Sequence, residues 1–394
     1  MTKIYCRRSI IVAFCVISSM AYGTGKPDLP TTLASNSLPK LEVGGRINLD
    51  ADHFEGIYID PADNQTKTQK KSELRRARLF IKFSLNDNWS SKLQIAIDGN
   101  DDNYQLKDAY IRYKGFNFAD IKIGQIKESF GLENVTSSAN TLFVERSPLS
   151  SFSLGRSKGI NIANSARNYS WSLGAYKVEE NSNIKADGDN AYTTRATYSP
   201  INDGNTYTHL AASYSKRNLA GAEYELKSNG GINSATNFLD TRNIATDSLE
   251  QAGIEGAWGR GALSFQAEYQ HLKINGVDSE EDTSYQGHYA QLSYFLTPDH
   301  RPYKKGRFAG VKPLSSSGAW ELALRYGTLQ SIDIGNSDEN VAIEVVTTTL
   351  GINYYLNKRI KIMLNATDSD TNGIALMGLS STGKALSMRI QLKL

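Results

Sequence analysis

The sequence predicts an all-β fold: a transmembrane antiparallel β-barrel of sixteen strands, preceded by an export signal. Three observations carry this. The last residues run Leu386-Ser-Met-Arg-Ile-Gln-Leu-Lys-Leu394, with Leu386, Met388, Ile390, Leu392 and Leu394 apolar and Ser387, Arg389, Gln391 and Lys393 polar. That strict period of two makes one strand face greasy and the other wet. The same alternation recurs along the chain in segments of about ten residues, the pattern of a barrel with lipid outside and water inside. Finally, Met1–Gly23 has a basic start (Lys3, Arg7, Arg8), an apolar run from Ile10 to Val16 and a small-residue exit at Ala21-Tyr22-Gly23. The run is too short to span a bilayer as a helix and reads as a secretory signal peptide.

Composition agrees with export. Both cysteines, Cys6 and Cys15, fall inside the signal, so the mature chain is expected to hold no thiol, disulfide or cysteine metal ligand. Loss of the signal lowers Lys+Arg from 44 to 41, equal to the 41 Asp+Glu. A neutral chain without a basic block gives no electrostatic reason to bind nucleic acid. After the signal no apolar stretch is long enough for a membrane helix. A tyrosine-rich exported chain of short alternating strands fits the outer membrane of a two-membrane bacterium.

The elements follow in order. Residues 24–40, with Pro27, Pro30 and Pro39, read as a flexible periplasmic lead-in, and 41–394 as the barrel. The first strand, Leu41–Ala51, puts Val43, Ile47 and Leu49 on one face and Glu42, Arg46 and Asp50 on the other. The second, Glu73–Leu85, puts Leu79, Ile81 and Phe83 outward and Arg76, Arg78 and Lys82 inward. Strands follow at Trp89–Asp98, Asp108–Lys114, Asp120–Gln125, Gly159–Ala166, Tyr169–Val178, Ala191–Ser199 and Thr206–Ser215. The remaining ones are Ser248–Trp258, Ala262–Leu272, Tyr285–Leu296, Ala319–Leu329, Ala342–Leu356, Ile360–Asp368 and Lys384–Leu394.

A seventeenth alternating stretch, Leu219–Ser228, is assigned to a loop. An odd count would put the two ends of the barrel on opposite sides, and only its removal keeps short turns and long loops in alternation. A tag near Asn229 would then be reachable from outside the cell and one at Arg260 would not. Thr297–Gly318 is the exception, a long connection on the short-turn side. Its basic residues Arg301, Lys304, Lys305, Arg307 and Lys312 read best as a solvated or headgroup-facing turn.

An open barrel passes ions by default, and preference comes from fixed charges on its lining. Inward parity collects more basic than acidic residues, most clearly Arg76, Arg78 and Lys82, with Arg46, Arg112 and Lys122 on neighbouring strands. Arg75 has outward parity unless a bulge reorients it. The long third loop, Gln125–Ser157, adds Lys127 and Arg146 as groups facing permeant anions, while Glu133 and Glu145 read as its anchors to the wall. Outward Trp89, Tyr113, Trp171, Trp258 and Trp320 read as interfacial girdles. The five histidines show no metal-ligand spacing. His209 and Ser213 share inward parity too far apart for a direct hydrogen bond, so neither a catalytic group nor a cofactor is expected.

Several stretches together resemble the phosphate-selective porin O and P family. They are Glu73-Leu-Arg-Arg-Ala-Arg78, Lys107-Asp-Ala-Tyr-Ile111, Gly124-Gln-Ile-Lys-Glu-Ser-Phe-Gly-Leu-Glu133, Thr136-Ser-Ser138, Glu145-Arg146, Tyr303–Pro313 and Gly318–Tyr326. The resemblance implies a homotrimeric sixteen-stranded porin in outer-membrane lipid. It implies a third extracellular loop folded into the pore and a basic path to a constriction. The arginine pair Arg75-Arg76 is retained, but Asn134 stands where phosphate-specific members carry lysine. The expected function is passive diffusion of small anions, phosphate among them, with a modest general preference rather than tight phosphate capture. The alternatives are a general or weakly cation-preferring pore, or a surface-exposed adhesin or receptor barrel acting through Leu219–Asp247.

Overall fold

The computed structural model describes residues 38–60, 67–98, 104–237, 239–241, 243–277, 282–332, 344–372 and 382–394. The expected signal peptide and most of the lead-in lie outside the described residues. Sixteen long strands form the wall. They are β1 (Lys40–Gly56), β2 (Thr68–Ser84), β3 (Trp89–Asp98), β4 (Tyr104–Tyr113), β5 (Asp120–Lys127), β6 (Arg156–Ser165), β7 (Tyr169–Lys177) and β8 (Asn190–Tyr198), continuing with β9 (Thr206–Asn218), β10 (Ile244–Arg260), β11 (Leu263–Gly276) and β12 (Thr283–Phe295). The last four are β13 (Ala319–Ser331), β14 (Glu344–Tyr355), β15 (Ile360–Asn372) and β16 (Thr382–Lys393). Each pairs antiparallel with its chain neighbour, and β16 closes on β1 from Arg46↔Lys393 to Gly56↔Gly383. A closed sheet has no edge, so every backbone group of the wall can bond within it.

The alternation read from the last strand holds. Ser387, Arg389 and Gln391 are buried inside, while Leu386, Met388, Ile390 and Leu394 are exposed on the outer face. Several strands run further toward the long-loop end than the apolar pattern marks: β1 reaches Gly56, β2 starts at Thr68, β10 starts at Ile244 and β11 ends at Gly276. Those extensions pair with each other above the greasy belt, where no outward apolar residue is needed to hold them.

Two bulges change which way side chains face. The β1–β2 register shifts between Asn48 and Asp50, which pair with Arg76 and Glu73, so Leu74 and Arg75 together oppose Leu49. The extra residue brings Arg75 to the lumen beside Arg76 and buries Glu73, although alternation put both outward. The β3–β4 register shifts likewise, with Gln94 opposite Asp108 and Ile95 opposite Leu106. Lys107 is the residue bulged out of the ladder, and Asp108 faces inward.

Among the described residues of 219–243 the pairings are short: Glu223–Tyr224 with Ile244–Ala245, Lys227–Ser228 with Leu239–Asp240, and a single bridge from Tyr224 to Ile184. They form a loop, as expected, but not a free one. Tyr224, Leu226, Ile232 and Leu239 join Phe54, Tyr58, Phe152, Leu272, Leu329 and Val345 in an apolar cluster inside the long-loop end. The loop also reaches β1 and β2: Ser234 donates to Asp52 at 2.6 Å and Asn233 to Glu73 at 2.8 Å. Asn229 is therefore half-buried, whereas Ala220 and Gly221 are exposed. A tag inserted between Ala220 and Gly221 should be recognised on intact cells. Labelling of a tag at Arg260 instead would overturn the strand assignment.

Candidate permeation path

The third loop lies between β5 and β6 and runs around the inside of the wall. Its only regular pieces are a helical turn at Leu132–Val135 and a 3-10 turn at Pro148–Phe152. Backbone taken into a barrel must still find hydrogen-bond partners, and here the lumen-facing side chains supply them. Glu268 on β11 accepts from the Leu132 and Glu133 amides at 2.8 and 2.6 Å. Gly131 enters this turn at φ +70°, and a β-carbon there would meet Gln270 and Glu268 at 2.8 and 3.0 Å. Further along, Asn353 donates to Leu142 O (2.9 Å), Lys361 to Thr141 O (2.9 Å) and Gln391 to Ala139 O (3.1 Å).

A buried ionic chain fixes the middle of the loop. Arg389 forks onto Asp50 at 2.7 and 2.6 Å and reaches Glu145 Oε1 at 2.6 Å, and Arg75 Nε donates to the same oxygen at 2.9 Å. Burial would raise the Glu145 carboxyl, but Arg75 and Arg389 hold it well below the usual carboxylate range. The Glu145 carbonyl accepts from Arg325 at 3.1 Å, and Glu133 accepts from the Ser147 amide and hydroxyl at 2.9 and 2.7 Å. Both acids anchor the loop, as the sequence reading had it.

These partners sit on β9–β16, β1 and the bulged end of β2, where inward side chains are buried. On β2–β5 the inward Arg78, Phe80, Lys82, Lys92, Gln94, Tyr110, Arg112 and Lys122 stay partly exposed, so the wet side of the lumen lies along that wall. Lys127 lies there within Coulombic range of Arg146, Arg156, Arg78 and Asp108, and Arg146 within range of Arg78 and Arg156. Arg146 donates to the Glu133 and Thr136 carbonyls at 3.0 and 3.1 Å. Burial, then Arg78 and Arg156, lower its guanidinium from its ordinary value despite Glu133 and Glu145, without discharging it. Lys127 donates to the Asn134 carbonyl, and Asp108 accepts from both Arg156 and Lys92 at 2.6 Å.

Not every sequence-predicted basic residue belongs to this group. Arg46 is buried and donates to Ser138 at 2.9 Å, and Arg76 is buried beside the loop anchor. Lys82 pairs with Glu42 at 3.3 Å near the short-turn end, so the stack on β2 does face a carboxylate from β1. Arg112 pairs with Asp120, and Lys122 lies 5.3 Å over the Tyr110 ring. Arg156, at the end of the third loop, joins the central cluster because the loop returns it beside Asp108.

Thr297–Gly318 reads in sequence as a solvated or headgroup-facing turn, and the structure corrects this for residues 299–311, which fold back into the barrel from the short-turn end. Tyr303 stacks on Tyr207 at 5.0 Å and its hydroxyl meets His209 Nδ1 at 2.7 Å. Arg195 donates to the Gly306 carbonyl at 2.9 Å, and Arg301 lies 4.0 Å from the Phe308 ring centroid. Burial of Tyr303 and Phe308 drives the return, and strand parity carries no information about it. Lys304, Lys305, Arg307 and Lys312 remain exposed, and Arg307 is brought toward Arg195, Arg112 and Tyr110. Partial desolvation first, then Arg195 and Arg112, lower its guanidinium. His209 and Ser213 make no bond to each other; both contact Glu255 at 3.1 Å, which Arg195 neutralises.

The Arg75–Glu145 contact gives a direct test of the loop anchor. Glu145→Gln should destabilise the protein in detergent by roughly 3 kcal/mol, read as a lower unfolding temperature. A depressed carboxylate contributes fully above its unfolded value, so the difference from wild type should hold from neutral pH down to about pH 5. It should shrink only as the pH falls below about 4. A difference that vanishes already near pH 6 would contradict the geometry.

A sequence profile of the phosphate-selective porin O and P family matches residues 41–394. Porin O of Pseudomonas aeruginosa is 26% identical over 390 residues, covering 89% of this chain and 87% of that protein. Among solved structures, an anion-selective porin from Comamonas acidovorans superposes with a TM-score of 0.57 at 11% identity, over 90% of this chain and 100% of that one. The trimer form of in-vitro folded OmpT from Vibrio cholerae gives 0.56 at 8% identity, over 91% and 100%. At such identities the structures speak for the fold, whereas the profile spans the whole barrel. The chain belongs to the phosphate-selective porin O and P family and is a porin of the outer membrane.

Proposed function

We propose that this porin passes small anions by passive diffusion, with a general anion preference set by Arg78, Lys127, Arg146 and Arg156 around Asp108. The observation that carries the reading is where these four cations lie: on the wet side of a lumen whose other side the third loop fills. Cations along a low-dielectric wall concentrate anions and repel cations. Guanidinium forks also match the oxygens of phosphate, sulfate or carboxylate. Arg112, Lys122 and Arg307 continue the positive lining toward the short-turn end. Asn134 adds no charge, and its side chain accepts from Ser153 at 2.9 Å. The preference is therefore modest, and inorganic phosphate is one permeant among several.

The chain is read as made with a signal peptide over Met1–Gly23 and as a homotrimer in outer-membrane lipid, in line with its family and with the trimeric neighbour. No catalytic role is assigned to it, and the long-loop end is read as extracellular. In a planar bilayer under a potassium chloride gradient, the wild type should give a reversal potential of anion sign. Replacing Arg78 and Arg156 with Gln should lower the anion-to-cation permeability ratio about threefold. A cation-preferring wild type, or an unchanged ratio in the double variant, would leave the general-diffusion reading in its place.

A further inference from the structure

The outer face of β6–β11 carries a row of lysines at its long-loop border. Lys158 on β6 and Lys177 on β7 stand side by side, because Gly159 pairs with Tyr176. Lys177 pairs with Asn190, Lys216 on β9 lies between Tyr192 and Glu250, and Glu250 pairs in turn with Lys273 on β11. Alternation turns all four outward, since Ser157, Tyr176, Ser215, Arg217, Leu272 and Ile274 beside them are buried inside the barrel. The side chains of Lys158, Lys177, Lys216 and Lys273 are 62, 54, 47 and 42% exposed, so a partner outside the barrel can reach every one.

The rest of this face has the composition of a lipid-facing surface. Leu173, Leu210 and Ile254 form its exposed apolar middle. Tyr198 and Trp258 border it toward the short turns, and Tyr192, Tyr214 and Tyr269 toward the long loops. Paired aromatic girdles mark the two edges of a bilayer. Phe265 and Lys273 lie about 20 Å apart along one tilted strand, close to the height of the apolar band, which sets the lysine at headgroup depth. Each lysine has a carboxylate neighbour: Glu179 at 2.6 Å from Lys158, Asp187 at 2.8 Å from Lys177, Glu250 at 3.0 Å from Lys216 and Asp282 at 2.9 Å from Lys273. Glu179, Asp187 and Asp282 belong to the long connections beyond the strand ends, so there the lysine is the member nearer the bilayer. Exposed pairs of this kind contribute little stability, and a phosphate arriving from the leaflet competes with them on even terms.

We propose that this row binds the phosphorylated headgroup of an outer-leaflet glycolipid of the lipid A class, an acylated glucosamine disaccharide with a phosphate at each end. The lysines supply cations at headgroup depth, and the tyrosines at the same border pack against sugar and the tops of the acyl chains. The row has two halves, Lys158 with Lys177 and Lys216 with Lys273, and the headgroup has two phosphates to meet them. The inference rests on the reading of the long-loop end as extracellular, because this lipid belongs to the outer leaflet. It uses no residue of the permeation path, so the anion reading and this site can fail separately.

The test is native mass spectrometry of the detergent-solubilised full chain, titrated with bis-phosphorylated lipid A or with the same lipid stripped of both phosphates. Wild type should bind the phosphorylated lipid saturably and about tenfold more tightly than the stripped one. Lys158→Gln with Lys177→Gln, and separately Lys216→Gln with Lys273→Gln, should each weaken the phosphorylated lipid about tenfold and leave the stripped one unchanged. Equal binding of the two lipids by wild type, or wild-type affinity in both variants, overturns the inference. So does loss of the oligomer in the variants with no lipid bound by wild type, which would put a second copy of the chain on this face. The tag between Ala220 and Gly221 checks the orientation independently. If it is recognised on intact cells and lipid A does not bind, this inference fails alone; if it is hidden, the extracellular reading falls and the site with it.

Discussion

The architecture of the lumen depends on one buried ionic chain, Asp50–Arg389–Glu145–Arg75. A long loop drawn into a barrel loses solvent around its amides and carbonyls, and each must be bonded again. The wall does this with side chains whose own charges must then be balanced. Arg389 is the junction: it neutralises Asp50 across the β16–β1 seam, bonds Glu145 and donates to the Val144 carbonyl. Removing any member would leave a buried charge without its partner, which is why such chains are rigid rather than merely stable.

The proposed selectivity depends on which side of the barrel the loop occupies. By filling the β9–β16 side it consumes Arg325, Lys361 and Arg389 as anchors. On the proposed reading, the cations that face solutes are those of β2–β6, Lys127 among them, and the loop's own Arg146. The returning segment at 299–311 adds Arg307 from below, opposite Arg112.

Much of this was legible in the sequence. Period-two alternation marked all sixteen strands, and the inward parity of Arg389 was right. Loop length in phase with short turns correctly demoted Leu219–Ser228. Other features leave no periodic trace. The bulge at Leu74-Arg75 breaks parity by a single residue, so Arg75 read as outward until its partner Glu145 was in view. The return of Tyr303 and Phe308 into the barrel depends on a stacking partner, Tyr207, nearly a hundred residues earlier. The joining of Arg156 to Arg78 likewise depends on where the loop comes back. Where a contact is set by the ladder, spacing encodes it; where it is set by loop closure, spacing does not.

The docking of the third loop is the central claim, and cross-linking tests it most directly. With cysteines at Ala139 and Gln391, where the Gln391 amide meets the Ala139 carbonyl at 3.1 Å, a short bis-thiol reagent should join loop to wall. Tethered and untethered protein should then show the same single-channel conductance and reversal potential, because the tether holds the loop where it already lies. Failure to cross-link, or a conductance that changes on tethering, would show that the loop occupies another position and would contradict the account.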